Sequence, residues 1–386
     1  MAIKNRRLWF QVHGWLSLPI WILFSFICLT GTIAVLSHEL TWLTNPNARA
    51  TNPEQLEAKP VYELVDVVTD EIPDAKIQGL MVLEPYLVTP IRFSSQDHPV
   101  GLAYVNQYTG EVQEINNGVT FVEFMRSLHG WLLFPWQEGY SWGYYLVSIM
   151  SFVTLGALIT GLVVYKKFWK SFTQPRLRRK KGARTFFGDY HRLSGVWSIW
   201  FLLVMGITGL CYFIQAIGWH NGADVWEEPK ALAIGEVPLN QASTDAPQQI
   251  SFEQAMDSAK RAMPGFQPSY IAMPEHSRGH FTIMGSGGEI FYDQYSHQAY
   301  VNPWTAEVDE LRTPERMNVL QTMVHITDPL HYGTLGGVWT KVIWFLFGLL
   351  LTTMSISGFV IYSKRMVKTP KKQTGAKKHI EEVTHD

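Results

Sequence analysis

Cysteine is scarce in this chain, and charge is missing from four long stretches. The two cysteines among 386 residues, Cys28 and Cys211, both fall inside apolar runs. The polar parts therefore hold no thiol, which excludes a disulfide framework or a cysteine-based metal site there. The lack of any Cys-x-x-Cys-His sequence excludes covalent haem attachment. Gly-x-Gly-x-x-Gly, P-loop and Gly-x-Ser-x-Gly sequences are absent too, so nucleotide binding and serine hydrolysis have no support. The runs Gly14–Leu36, Tyr144–Tyr165, Leu193–Ile217 and Val342–Tyr362 contain no Asp, Glu, Lys or Arg. A proton relay or ion-coupled transport path through them would have nothing to run on.

A mean hydropathy of −0.01 hides this segregation. At about 1.5 Å per residue each run is long enough to cross a hydrocarbon core of about 30 Å, which predicts four transmembrane helices. Basic residues set their orientation. Lys4, Arg6 and Arg7 precede the first run, nine Lys/Arg lie between Lys166 and Arg184, and seven lie between Lys364 and Lys378. The two long connectors hold only five and six. Both termini and the middle loop are thus expected in the cytoplasm, and both connectors outside, in the periplasm of a Gram-negative cell. The first run is longer than a signal-peptide core and has no small-x-small site after it, so it is read as a retained anchor. No nucleic-acid partner is expected; membrane lipid is.

The expected layout is an N-terminus and first helix (1–37), an exported module (38–143), a second helix (144–165), a basic loop (166–192), a third helix (193–217), a second module (218–337), a fourth helix (338–362) and a basic tail (363–386). The halves repeat. His13 leads to Thr30-Gly31 and His191 leads to Thr208-Gly209, each over 17 residues, at an offset of 178. The second and fourth helices end in Thr160-Gly161 and Ser357-Gly358. Small residues of this kind allow close helix packing, and as a set they are read as space reserved for a flat macrocycle. Asn106–Glu111 is paired with Asp293–Gln298 as turns after the strand-like runs Gly101–Val105 and Glu289–Tyr292, at an offset of 187. Helical patterns over Val61–Thr69 and Phe252–Ala262 precede them. Each connector thus reads as a small α+β module.

A histidine repeated at the edge of duplicated spanning segments is a candidate cofactor ligand. His13 and His191, both at the cytoplasmic edge, form one candidate pair. His129 with His331 forms the outer candidate, with His325 as the substitute and His38 a further possibility. The turn formers around Asp328-Pro329-Leu330-His331-Tyr332-Gly333 suggest that His331 sits in a shaped loop. Arg126 and Lys341 are placed for the carboxylates of an outer cofactor, Arg192 and Arg7 for those of an inner one. Trp131, Trp136, Tyr140, Trp142 and Trp219 suit an aromatic belt. His276, Arg278 and His280 lie in a turn-like stretch; His98 and His297 are expected to be solvated.

His13-Gly14-Trp15-Leu16, His191-Arg192-Leu193-Ser194-Gly195, Leu128-His129-Gly130 and the 328–337 segment, set in this layout, resemble the PepSY-associated transmembrane family over residues 7–365. Within it, the chain resembles inner-membrane ferric-siderophore reductases. The resemblance implies a helical membrane bundle with an internal pseudo-twofold repeat and two periplasmic PepSY-like modules. It also implies two bis-histidine haems b and reduction of a ferric siderophore or other ferric chelate. Some relatives carry a C-terminal flavin-reductase domain where this chain has a Lys-rich tail, so electrons are expected from quinol or a separate cytoplasmic reductase. The alternative it leaves is a membrane-anchored module that binds a peptide or partner protein without redox chemistry.

Overall fold

The computed structural model describes residues 3–165, 167–223, 229–238 and 249–366. The tail beyond 366, with His379 and His385, lies outside them. The first half comprises α1 (Ile3–Ser17), α2 (Trp21–Val35), α3 (Ser37–Thr44) and α4 (Val61–Glu71). Strands β1 (Lys76–Met81), β2 (Thr89–Ser94), β3 (Gly101–Val105) and β4 (Val112–Asn116) follow, then α5 (Phe121–Trp131), α6 (Trp142–Ser148) and α7 (Met150–Val164). A short α8 (Phe168–Thr173) leads to α9 (Ala183–Trp197), α10 (Ile199–His220) and α11 (Phe252–Ala262). The chain continues through β5 (Gln267–Ala272), β6 (Phe281–Ser286), β7 (His297–Val301) and β8 (Val308–Arg312) to α12 (Val319–Tyr332) and α13 (Gly337–Met366).

Four helical segments are long and apolar enough to cross a membrane: Arg7–Val35, Trp142–Val164, Ile199–His220 and Gly337–Lys364. The first begins seven residues before the apolar run, so His13 lies inside α1 rather than at a helix start. Pro19 then interrupts it with a 3₁₀ turn at Leu18–Ile20, because proline has no N–H to give to the preceding turn. His191 likewise lies within α9, whose start at Ala183 falls inside the stretch that the sequence suggested was a loop. In the bundle α2 packs on α13, α7 on α10, α1 on α7 and α9 on α13. Glycine permits close approaches: a Cβ on Gly348 would run into Thr32 Oγ1, and one on Gly206 would lie 2.5 Å from Leu155 Cδ2.

Outside the bundle the two modules are not separate. Their strands form one antiparallel sheet of order β4-β3-β2-β1-β5-β6-β7-β8, joined by Leu80↔Ile271 and its neighbours. The order reads the same from either edge when the halves are exchanged. Each module leaves an open edge strand, and pairing those edges satisfies their backbone groups. Gly79 makes the seam possible, since a Cβ there would sit 2.5 Å from the Ile271 carbonyl oxygen. A single core runs beneath both halves, with Leu64, Val68, Ile91 and Phe93 continuous with Met256, Ile271 and Ile283. Helix α4 shows its apolar residues at i, i+1 and i+4 (Leu64, Val65, Val68), and α11 is fixed by a Ser251/Gln254 capping box.

The structure corrects the paired turns. Glu289–Tyr292 is not a strand, and Asn106–Glu111 corresponds to Asn302–Glu307, at an offset of 196. Both turns bond the Asn N–H to the Glu carbonyl, and both put their fifth residue in the left-handed region, Gly110 at φ 77° and Ala306 at φ 61°. The sequence comparison followed polarity and missed that Ala306 stands where Gly110 does.

Candidate functional site

The four histidines of the two candidate pairs come from four helices and meet in twos across the halves. The rings of His13 (α1) and His191 (α9) are 6.2 Å apart and nearly perpendicular, at 84°. Those of His129 (α5) and His331 (α12) are also 6.2 Å apart, inclined by 26°. A bond between metal and imidazole is about 2.0–2.1 Å and the ring nitrogen lies about 1.1 Å from the ring centre, so two imidazoles on opposite sides of one metal ion have centres about 6.2–6.4 Å apart.

Each Nδ1 is held by a Thr/Ser-Gly pair of its own half. His13 Nδ1 is 2.9 Å from Thr160 Oγ1, and His331 Nδ1 is 2.8 Å from Thr208 Oγ1. His129 Nδ1 is 3.1 Å from the Ile27 carbonyl and 3.4 Å from Thr30 Oγ1; His191 Nδ1 is 3.0 Å from the Met354 carbonyl and 3.1 Å from Ser357 Oγ. All four hydroxyls donate back to their own helix, to the carbonyls of Gly156, Val204, Ile27 and Met354. Their oxygens, like the two carbonyls, are left to accept. Nδ1 must then carry the proton, and Nε2 keeps its lone pair.

Three of the four glycines lie against histidine rings, so imidazole occupies the space beside them. A Cβ on Gly31 would lie 2.6 Å from His129 Cε1, one on Gly358 3.4 Å from His191 Cε1, and one on Gly161 3.6 Å from His13 Cε1. Gly209 instead faces Ser151, at 3.1 Å.

Helix α12 delivers His331 in its last turn, not from a loop. Pro329 lies inside that helix and cannot donate to the carbonyl of His325, four residues back. The N–H of Asp293 takes up that carbonyl at 3.0 Å, while Asp293 Oδ1 accepts from His325 Nδ1 at 2.8 Å. His325 is thus committed, fully buried, to the second module and does not join His129. Helix α12 then closes on Gly333 at φ 72°. Burial lowers His129 to about 4 and His331 to about 3, so both imidazoles stay neutral, the form a metal needs.

The cations divide. Arg126, on α5 one turn before His129, is solvent-accessible and faces Tyr332, Tyr295, Asp328 and Tyr212. Tyr212, whose ring lies 5.1 Å from that of His331, donates to Asp328 at 2.8 Å. Burial, with Asp293 nearby, raises Asp328 to about 6. Arg192 is engaged locally by Asp189 and by the Gly188 carbonyl, so its side chain is not free for an inner cofactor as the sequence suggested. Arg7 is exposed. Lys341 is also committed elsewhere. It is 6% exposed and donates to Glu39 at 3.0 Å and Glu84 at 2.6 Å. His38, 2.8 Å from Glu84, belongs to this cluster and not to a histidine pair. Burial alone would raise Glu84, but the bond and charge of His38, and then Lys341, hold it well below the carboxylate range.

Other expectations on surface histidines also change. His297 is buried and accepts from the Gly287 N–H at 3.2 Å; His280 is buried against Asp309 at 2.9 Å. Arg278 bonds the Leu232 carbonyl and ties down the preceding segment. These are structural contacts. Sequence reasoning missed the Nδ1 partners, although the repeated Thr/Ser-Gly pairs were their signal, and it missed Tyr212, Asp328, Glu39 and Glu84, which carry no signal in isolation.

Among the described residues no group of three or more His, Cys, Asp or Glu could hold a metal ion. Two opposed imidazoles are too few ligands for a bare transition metal, and they fit one whose remaining ligands come from a planar macrocycle. The donor set, the spacing and the free Nε2 atoms therefore suit haem iron. A search of curated proteins gives no match. The family model described as the PepSY-associated TM region matches residues 10–365. Four membrane-length helices, the sheet and this match across nearly the whole chain place the protein in the PepSY-associated transmembrane family.

Proposed function

We propose that the chain is a bacterial inner-membrane oxidoreductase that carries electrons from quinol or a cytoplasmic reductase across the membrane and reduces a ferric chelate, of the ferric-siderophore kind, on the periplasmic face. The observation that carries this reading is the two histidine pairs, each spaced for one metal ion, each drawn from both halves. In this reading the halves are pseudo-twofold related, both termini are cytoplasmic, and the sheet is periplasmic, as the three basic segments favour. His13 with His191 would hold an inner haem b, and His129 with His331 an outer one. Haem b, held by these histidines, would supply a one-electron carrier.

The chain's own residues do the rest. Thr160, Thr208, Ser357 and the Ile27 and Met354 carbonyls fix the rings and their tautomer, which strengthens Nε2 as a donor. The 17 residues between His13 and Thr30 put roughly 25 Å of helix between the inner and outer supports, so one site serves each face. Arg126 offers a cation for carboxylates at the outer site. Reduction of the bound ferric ion to Fe(II) weakens its hold on hard oxygen ligands and frees it from the chelate.

A pyridine-haemochrome measurement on purified protein tests this directly. Two haems b per chain are expected, with absorbance that shifts on adding dithionite. Protein that binds none after haem-replete expression would overturn the reading.

A further inference from the structure

Four aromatic rings meet between α10 and α13. The Trp200 ring lies 4.7 Å from that of Phe347 and 5.4 Å from that of Trp344, and the Phe201 ring lies 5.7 Å and 6.0 Å from the same two. Aromatic pairs in contact have centres about 4.5–7 Å apart, so the four form one stack. Phe201 and Trp344 are buried, and Trp344 Nε1 donates to the Leu330 carbonyl at 3.0 Å. Leu330 directly precedes His331, and Gly333 lies against the same indole, since a Cβ there would come 2.6 Å from Trp344 Cγ. The indole thus touches the backbone that carries the outer pair.

Their depth follows from the helices. Phe201 precedes Thr208 on α10 by seven residues, and Phe347 precedes Met354 on α13 by seven. Seven residues are about two turns and 10 Å, so each phenyl stands on the helix face of a group that holds an imidazole: Thr208 holds His331, and Met354 holds His191. The phenyls therefore meet between the two histidine pairs. An aromatic belt at the membrane surface does not account for rings at that depth. The repeat does not require them either. At offsets of 178 and 197, which relate Thr30 to Thr208 and Gly161 to Gly358, the counterparts of Trp200, Phe201, Trp344 and Phe347 are Ile22, Leu23, Val147 and Met150. One half fills this layer with rings where the other uses aliphatic side chains.

We propose that the Phe201, Phe347 and Trp344 rings form the route along which an electron crosses from the inner to the outer site. This rests on the haem reading above. Electron tunnelling weakens steeply across gaps and less across packed π systems, so rings in contact favour the second half of the bundle over the first. The step is a one-electron exchange: iron at the inner site is oxidised and iron at the outer site is reduced. No bond forms or breaks, no proton moves, and the rings keep their charge because they serve only as the medium.

The test uses the haem-loaded full chain with a ruthenium photosensitiser attached at Lys170→Cys, an exposed position in the basic loop, so that a flash injects an electron at the inner site. Both native cysteines lie within spanning segments. Transient absorbance follows the passage to the outer site. Redox titration monitored by electron paramagnetic resonance gives each site's potential, because ligand rings crossing at 84° and at 26° impart different signals to ferric iron. Phe201→Leu/Phe347→Met, which installs the first half's residues, should slow the passage at least threefold with haem content and both potentials unchanged. Trp344→Phe keeps a ring and should slow it less. If the double variant loads less haem, Phe347→Leu alone carries the test. An unchanged rate in a haem-loaded variant would overturn the proposal, as would a slowing matched by shifted potentials. Wild-type protein that binds no haem would overturn the haem reading and this route with it.

Discussion

The inner and outer histidine pairs share a ring spacing of 6.2 Å but reach it by different routes. His13 and His191 sit on helices that run directly into the first and third spanning segments, so a constant offset in the chain is enough to bring them to one depth. His129 and His331 arrive on shorter helices that follow the sheet, and their depth depends on where each module sets its helix down. The inner rings cross at 84° and the outer at 26°. What the pairs have in common is therefore the support, not the delivery: an acceptor in the same half holds each Nδ1, and the facing ring always comes from the other half.

The largest effect that would break this comparison is loss of one site with the other intact. His129→Ala should reduce haem from two to one per chain while His13→Ala removes the other, and combining them should leave none; equal haem content in all three would end the equivalence. Gly31→Val should resemble His129→Ala, because the space behind Gly31 is filled by the His129 ring at 2.6 Å from any Cβ. Gly161→Ala meets His13 only at 3.6 Å and should leave haem content unchanged, so the two glycine variants separate the pairs sharply. At the next level, Thr160→Val and Thr208→Val remove the hydroxyl acceptor from His13 and His331. Second-sphere losses of this kind typically weaken metal affinity by about 10–100-fold, and competition with apomyoglobin would show whether both sites respond alike.

A second asymmetry concerns charge. Lys341, Glu39, Glu84 and His38 join the fourth helix to the first half, whereas the equivalent of Lys341 is Tyr144, which donates to Gln215 at 3.1 Å. Breaking a buried ion pair on one side costs about 3–5 kcal/mol, so Lys341→Met should lower the melting temperature markedly and Tyr144→Phe only slightly. The smallest effect is a pH dependence. The Arg178 guanidinium, bonded to Asp189 at 2.8 Å, holds that carboxyl down to about 2. Its folded value is below the ordinary one of about 3.9, so its contribution is complete above pH 4 and lost as pH falls toward 2. Asp189→Asn should flatten that part of the acid-stability curve and leave the rest unchanged.

The four spanning segments were legible because hydrocarbon tolerates no charge; their ends moved where polar turns of helix continued past the apolar run and, in the third, where the helix break at Ser198 delayed the start to Ile199. His13 and His191 were legible from one offset. The outer site was legible as a set of three candidates, and the choice of His331 over His325 rested on turn-forming neighbours that in fact lie inside a helix. Pro329 looked like a loop signal; Asp293, 36 residues earlier in the chain, supplies the hydrogen bond that keeps it helical. Lys341 and Arg192 were placed by proximity in sequence, and nothing local reveals that Glu84 or Asp189 takes them first.

Taken alone, the chain determined what burial in lipid and repetition dictate: four helices, two halves, and histidines at matched depths. Tertiary structure decided the matters that depend on which surfaces meet. It joined the two modules through β1 and β5, because unpaired strand edges satisfy one another. It turned four Thr/Ser-Gly pairs from spacers into imidazole holders, because a hydroxyl committed to its own helix has only its oxygen left to accept a hydrogen bond.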